Sequence, residues 1–224
     1  DAPSVATISP SSGQVGTVIT LVGSNLLTGG STIANVTLNG VVVSSIESSN
    51  DTQVVVVAAS GTAGAGVSRL TADTGASYDS GNETWTYLAE SVVTSFTPTT
   101  GQVGTYVTII GERMLGGGSS VSSVTLNGVS AELMSTANDT VIVVRAQSSS
   151  AGAGRVVVVS NTGATTTSSV DFTYSAVGSV SGVSPSSGQF GTIVTISGTS
   201  LLGGGTNVSS LTLGGNEVEM VVSA

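Results

Sequence analysis

Glu217 and Glu219 lie two apart in an extended run, so a strand would hold both carboxylates on one face, roughly 7 Å apart. That separation suits the acid/base pair of a glycoside hydrolase. Little other catalytic chemistry is open to the chain. Its 224 residues contain no His, Cys or Lys, and the four basic residues are Arg69, Arg113, Arg145 and Arg155. A Ser-His-Asp triad and an imidazole zinc site are excluded. So are a thiolate nucleophile or cluster, a disulfide, a lysine Schiff base and a phosphate-binding lysine. No cofactor is expected.

Modification chemistry is better represented. N-X-Ser/Thr acceptor sequences occur at Asn35, Asn50, Asn82, Asn138 and Asn207. Ser and Thr make up 70 of the 224 residues, so about three such sequences would arise by chance, and placement matters more than number. Aromatic side chains that could stack on sugars are few. Trp85, Tyr87, Phe172 and Tyr174 fall at alternating positions around a Thr and are expected to fill cores, leaving Tyr78 and Tyr106 as the spare rings.

The formal charge is −9, with 13 carboxylates against four arginines. Phosphate backbones bind clustered cations, so nucleic acid is not an expected partner. The longest apolar runs, such as Val54 to Ala59, fall far short of the roughly 18 residues that span a bilayer, and no membrane insertion is expected in this segment. Charged residues are only 8% and Val is abundant, a balance that opposes disorder. The opening DAPSVATISP has no basic and apolar signal region, so any secretion signal is expected to lie outside this stretch or to have been removed.

These residues are carried by a repeat. SPSSGQVGT at Ser9–Thr17 returns as TPTTGQVGT at Thr97–Thr105 and as SPSSGQFGT at Ser184–Thr192. VTLNGV, NDT, AGAG and TGA hold the register between the first two copies, at an offset of 88 residues. The third copy reaches Ala224 about halfway through, which reads as a segment of a longer array. The expected domains are 1–90, 91–177 and 178–224, the last partial. Half a sandwich leaves apolar faces bare, so its completing strands are expected from further residues or from a neighbouring chain.

Within a copy the apolar period is two: Ile19 and Leu21 flank Thr20, and Val36 and Leu38 flank Thr37. Asn39-Gly40, Asn127-Gly128 and Gly214-Gly215 each separate two extended runs and predict hairpins. The fold class is all-β: tandem immunoglobulin-like β-sandwiches with about seven antiparallel strands per repeat. Gly13 and Gly16 then belong to the turn that enters a strand. Gly116–Gly118 and Gly203–Gly205 read as loop tips or as places where a neighbouring backbone comes close.

The repeat register bears on the candidate sites. The second-copy equivalents of Glu217 and Glu219 are Ser130 and Glu132, so the pair is not repeated and a solvated strand face is the plainer reading. The arginines fall at non-equivalent positions. A calcium ion at the joints would need converging carboxylates, yet Leu88–Ser91 and Ser175–Ser179 offer only Glu90. Asp51 and Asp139 sit in the NDT turns, where a lone carboxylate caps the turn. Asn50 and Asn138 share that exposed turn, and Asn35 shares the outward face of Thr37.

The set S-P-x-x-G-x-x-G-T, a strand ending in Gly23, Gly111 or Gly198, V-T-L-N-G-V, a D-T-x-V-x-V strand and a closing W/F-T-Y resembles the IPT/TIG domain. That immunoglobulin-like module is shared by plexins, some transcription factors and many surface proteins. The resemblance implies the fold strongly and function weakly. It brings neither the cysteines of the plexin setting nor the basic loops of DNA-binding members. The expectation is a non-enzymatic, extracellular or cell-surface segment acting as stalk, adhesin or filament subunit. Self-association or contact with other surface proteins would be its mode of work. The alternative is an accessory module that grips a glycan or protein for a larger receptor or enzyme.

Overall fold

The computed structural model describes residues 2–134, 137–219 and 221, and among them there is no helix. Repeat 1 runs β1 (Ser4–Ser9), β2 (Ser12–Gly13), β3 (Val18–Ser24), β4 (Ile33–Leu38), β5 (Val41–Val42), β6 (Ser45–Ser49), β7 (Gln53–Val57), β8 (Gly64–Ala72) and β9 (Ser77–Tyr87). One sheet is ordered β1-β3-β7-β6 and the other β2-β9-β8-β4-β5. Alternation decides which side chains enter the space between them. Ile19, Leu21, Val54 and Val56 are fully buried, while Val18 and Val22 on the reverse face of β3 are 44% and 40% exposed. Trp85 and Tyr87 close this core edge to face, with ring centroids 5.6 Å apart.

Repeat 2 is built alike: β10 (Val92–Thr97), β11 (Thr100–Gly101), β12 (Tyr106–Glu112), β13 (Val121–Leu126), β14 (Val129–Leu133), β15 (Val141–Arg145), β16 (Gly152–Ser160) and β17 (Thr165–Tyr174). Its β14 is unbroken and pairs with both β13 and β15, so it links the two sheets, whereas repeat 1 divides the same stretch into β5 and β6. Phe172 and Tyr174 occupy the places of Trp85 and Tyr87, and Phe96 reaches Phe172 at 6.4 Å.

Two details differ from a plain seven-strand antiparallel sandwich. The counts rise to eight in each repeat because the two-residue β2 and β11 are strands in their own right, and to nine in repeat 1 because β5 and β6 are separate. Strands β2 and β11 also run parallel to β9 and β17. The chain leaves the first sheet at Pro10 and Pro98, both preceded by cis bonds, and joins the opposite one.

The predicted hairpins form. Asn39 and Gly40 have φ of +47° and +79°, and Asn127-Gly128 and Gly214-Gly215 adopt the same left-handed pairs. In repeat 3, β18 (Ser179–Ser184) pairs with β19 (Thr195–Thr199), and β20 (Thr212–Leu213) with β21 (Asn216–Glu217). Several apolar side chains of this repeat lie open: Phe190 is 94% and Ile193 80% exposed.

Candidate functional site: the joint between repeats

The turn Gly-Gln-X-Gly-Thr is a self-contained unit. The Gln14 amide donates to Thr17 Oγ1 at 3.0 Å and the Thr17 amide donates to the Gln14 carbonyl at 3.1 Å. Gln102–Thr105 and Gln189–Thr192 repeat both bonds. This closed turn fixes the direction of the glutamine side chain, and in repeat 1 it points into the joint with repeat 2.

Gln14 is only 2% exposed. Its Nε2 donates to the Ala89 carbonyl at 2.6 Å, and its Oε1 accepts from the Ser91 amide at 3.1 Å and the Ser91 hydroxyl at 2.6 Å. The Ser91 hydroxyl, having spent its proton on Gln14, accepts from Thr166 Oγ1. A buried amide is thus satisfied at both ends by the linker that joins the two sandwiches.

Two parts of repeat 2 complete the contact. The loop at Gly116–Gly118 comes up against repeat 1 so closely that a Cβ on Gly117 would stand 2.6 Å from Leu88 Cδ1. The turn at Thr162–Thr165 adds two backbone bonds between repeats, Val18 N–H to the Thr162 carbonyl at 2.9 Å and Thr165 N–H to the Val15 carbonyl at 3.0 Å. Here Gly16 and Gly163 face each other, and a Cβ on either would meet the carbonyl oxygen of the other within 2.8 Å. Within repeat 2, Asn161 ties loop to turn by accepting from the Ser119 amide at 3.0 Å. Asp73 does the same in repeat 1 through the Ser31 amide and hydroxyl, and those bonds hold its carboxyl below the usual carboxylate range.

The joint between repeats 2 and 3 reproduces the first half of this arrangement. Gly178 N–H donates to Gln102 Oε1 at 3.2 Å, and Gly203 packs on the Gln102 amide. In the repeat register the counterpart of the Thr162 turn would fall past residue 224. Burial follows the number of partners: Gln14 is buried, Gln102 half-buried and Gln189 exposed.

This geometry gives the repeated glutamine a function that the sequence reading missed. Gln recurs at 14, 102 and 189, and that identity was the available signal. The glycine runs are loop tips, and side chains of the preceding repeat pack on them: Leu88 on Gly117 and Gln102 on Gly203. Glu217 ends β21, but Glu219 lies beyond it, so the two carboxylates do not share a strand, and both are exposed. Each arginine is ion-paired at the surface: Arg69 with Asp79, Arg113 with Glu112, Arg145 with Glu132 and Arg155 with Asp171. Asp51 and Asp139 accept from the Leu27 and Leu115 amides. Glu90 accepts from the Ser60 hydroxyl. Among the described residues no three carboxylates converge as a metal site would require.

The profile of the IPT/TIG domain matches residues 3–87, 91–174 and 179–224. The chain belongs to the IPT/TIG family. No curated protein sequence matches it. Among solved structures it is similar to the plexin A4 extracellular region, at 21% identity and a TM-score of 0.49, covering 82% of this chain and 16% of that one. It is also similar to the Bacteroides ovatus SGBP-B of a mixed-linkage glucan utilization locus, solved with a heptasaccharide. There the identity is 17% and the TM-score 0.34, covering 80% of this chain and 46% of that one. The chain therefore spans less than two thirds of either.

In IPT/TIG repeat 1 the aromatic expectation needs one correction. Tyr78 is not a spare ring: it packs on the core and its hydroxyl donates to the Leu26 carbonyl at 2.7 Å. Burial, aided by the Asp51 charge, pushes its phenol up to about 12. Burial also raises the phenols of Tyr87 and Tyr174. Tyr106 does face outward, 57% exposed. The acceptor asparagines are spread over the surface: Asn50, Asn82, Asn138 and Asn207 are exposed, and Asn35 is half-buried in β4.

Proposed function

We propose that this chain is a non-catalytic structural segment of a long extracellular or cell-surface repeat protein, a stalk, adhesin or filament subunit whose IPT/TIG sandwiches are held end to end. The supporting observation is the joint. Gln14 is buried there with both amide ends bonded, and the half-formed joint at Gln102 uses the same parts. A linker of about four residues with such a lock does not swivel freely. The outward strand faces carry Val, Thr and Ser with few charges, so side-to-side contact would desolvate little charge. A boundary scheme of 1–90, 91–177 and 178–224 places each linker at the junction of two such units.

Small-angle scattering on the full chain tests this reading. A rod-like distance distribution that is unchanged between low and high salt supports it. The profile of beads on a flexible string would sink it.

The alternative, an accessory glycan- or protein-binding module, is favoured by one observation. Tyr106 stands exposed on β12 on the same outward side as Thr108 and Ile110. Bacteroides SGBP-B, similar in fold, was solved with a bound heptasaccharide. Calorimetric titration of the chain with oligosaccharides would reveal saturable heat only on that second reading.

A further inference from the structure

The five acceptor sequences are not equivalent once the fold is in place. Asn35 lies on β4, which is paired on both sides through its acceptor Thr: Thr37 stands opposite Val42 on β5 and Arg69 on β8. Asn35 itself stands opposite Thr71 on β8, so presenting Asn35-Val-Thr37 to an enzyme would require parting β4 from β8 at Asn35 and from both neighbours at Thr37. Asn50 and Asn138 stand in a different setting.

Asn50 Oδ1 accepts three bonds at 2.9–3.0 Å, from the Thr52 amide, the Thr52 hydroxyl and the Gln53 amide. Asn138 Oδ1 accepts the same three from Thr140 and Val141, all at 2.9 Å. With the oxygen engaged on the turn, the amide plane is fixed and its other end, Nδ2, is directed away from those bonds. Both residues are exposed. The turn is anchored from the other side as well. Gly23 N–H donates to the Thr52 carbonyl at 2.9 Å and Leu26 N–H to the Asp51 carbonyl at 3.0 Å; Gly111 and Met114 do so in repeat 2. The acceptor nitrogen is therefore held in one orientation on a rigid, outward turn, and the same arrangement is built twice.

We propose that Asn50 and Asn138 are N-glycosylated, one glycan per repeat at the same place on successive sandwiches, and that Asn35 is not. In the transfer, Asn Nδ2 forms a bond to C1 of the first sugar of a lipid-linked oligosaccharide. The bond from C1 to the lipid diphosphate oxygen breaks, and the amide loses one proton. The inference rests on the extracellular reading above, since the donor and enzyme belong to a secretory pathway. It adds a geometric consequence. Asp139, beside Asn138, bonds to Leu115 in the loop that leads into the joint glycines, so the Asn138 glycan stands next to the joint.

The test is site mapping on the full chain secreted from a eukaryotic cell line. Asn→Asp is the informative substitution because Asp keeps the Oδ1 acceptor, and with it the turn, while removing Nδ2. Endoglycosidase treatment of the wild type is expected to lower its mass by at least two glycans. Asn50→Asp and Asn138→Asp each remove one glycan, and Asn35→Asp leaves the mass unchanged. Secreted protein with Asn50 and Asn138 unmodified, or with a glycan at Asn35, overturns the inference. Neither result bears on the rod, whose failure is read separately by scattering on unglycosylated protein.

Discussion

At the residue scale, two side chains that brace the loops of repeat 1 respond to pH in opposite directions. Asp73 is stabilised in its charged form by Ser31, so its carboxyl titrates below the ordinary value of 3.8. A depressed acid contributes stability above its ordinary value and loses it as pH falls through the folded value. Acid should therefore loosen the loop of repeat 1, seen as weaker protection of the Ser31 amide relative to its unstructured exchange rate at the same pH. Asp73→Asn, which copies Asn161 of repeat 2, should make the protection of that amide independent of pH in the same window. Tyr78 has the reverse sign. A phenol raised from 10.0 to about 12 contributes fully below pH 10, and the contribution is lost as pH rises toward 12. Tyr78→Phe should cost about 1 kcal/mol at neutral pH by leaving the Leu26 carbonyl without its donor. The gap between the two stability curves should then narrow in the alkaline range, as urea melts at successive pH values would record.

At the element scale, β9 and β17 close equivalent cores with different volumes. Trp85 works with Ile8 on β1, and Phe172 works with Phe96 on β10, a large-small exchange that keeps the filling constant. Trp85→Phe alone should leave a void and cost about 1–3 kcal/mol. Ile8→Phe alone should overpack by a similar amount, and the double variant should recover most of both losses. Denaturant titration of the four proteins gives the coupling directly; simple additivity would refute the exchange. These elements were legible beforehand because each is written locally. Period-two alternation marked β3 and β4, and Asn39-Gly40 marked the hairpin. The parallel attachment of β2 was not legible, because two residues carry no period. Nor was the buried hydroxyl bond of Tyr78, because its partner Leu26 lies 52 residues away.

At the scale of the whole molecule, the joint was the least legible feature, since its parts lie about 75 to 150 residues apart and no local pattern names a partner. Gln14→Ala tests its role without touching either core. Thermal melting of the sandwiches should hardly move, whereas the Ser91 amide, stripped of its acceptor, should exchange on the order of ten times faster. Scattering should report a wider spread of inter-repeat angles. If exchange and scattering both match the wild type, the glutamine is not what aligns the repeats.

The construction of that joint also decides how the chain would answer a pull. Load along the axis passes in series through each sandwich and each junction. A sandwich resists with two hydrogen-bonded sheets around an apolar interior, whereas the first junction resists with the Gln14 amide, its relay through Ser91 to Thr166, the packing of Gly117 on Leu88 and two backbone bonds. The junctions would then yield first and re-form when tension drops, because the linker keeps their halves within reach. An array of this kind would stretch in small recoverable steps, as a shock absorber does, long before any module unravels.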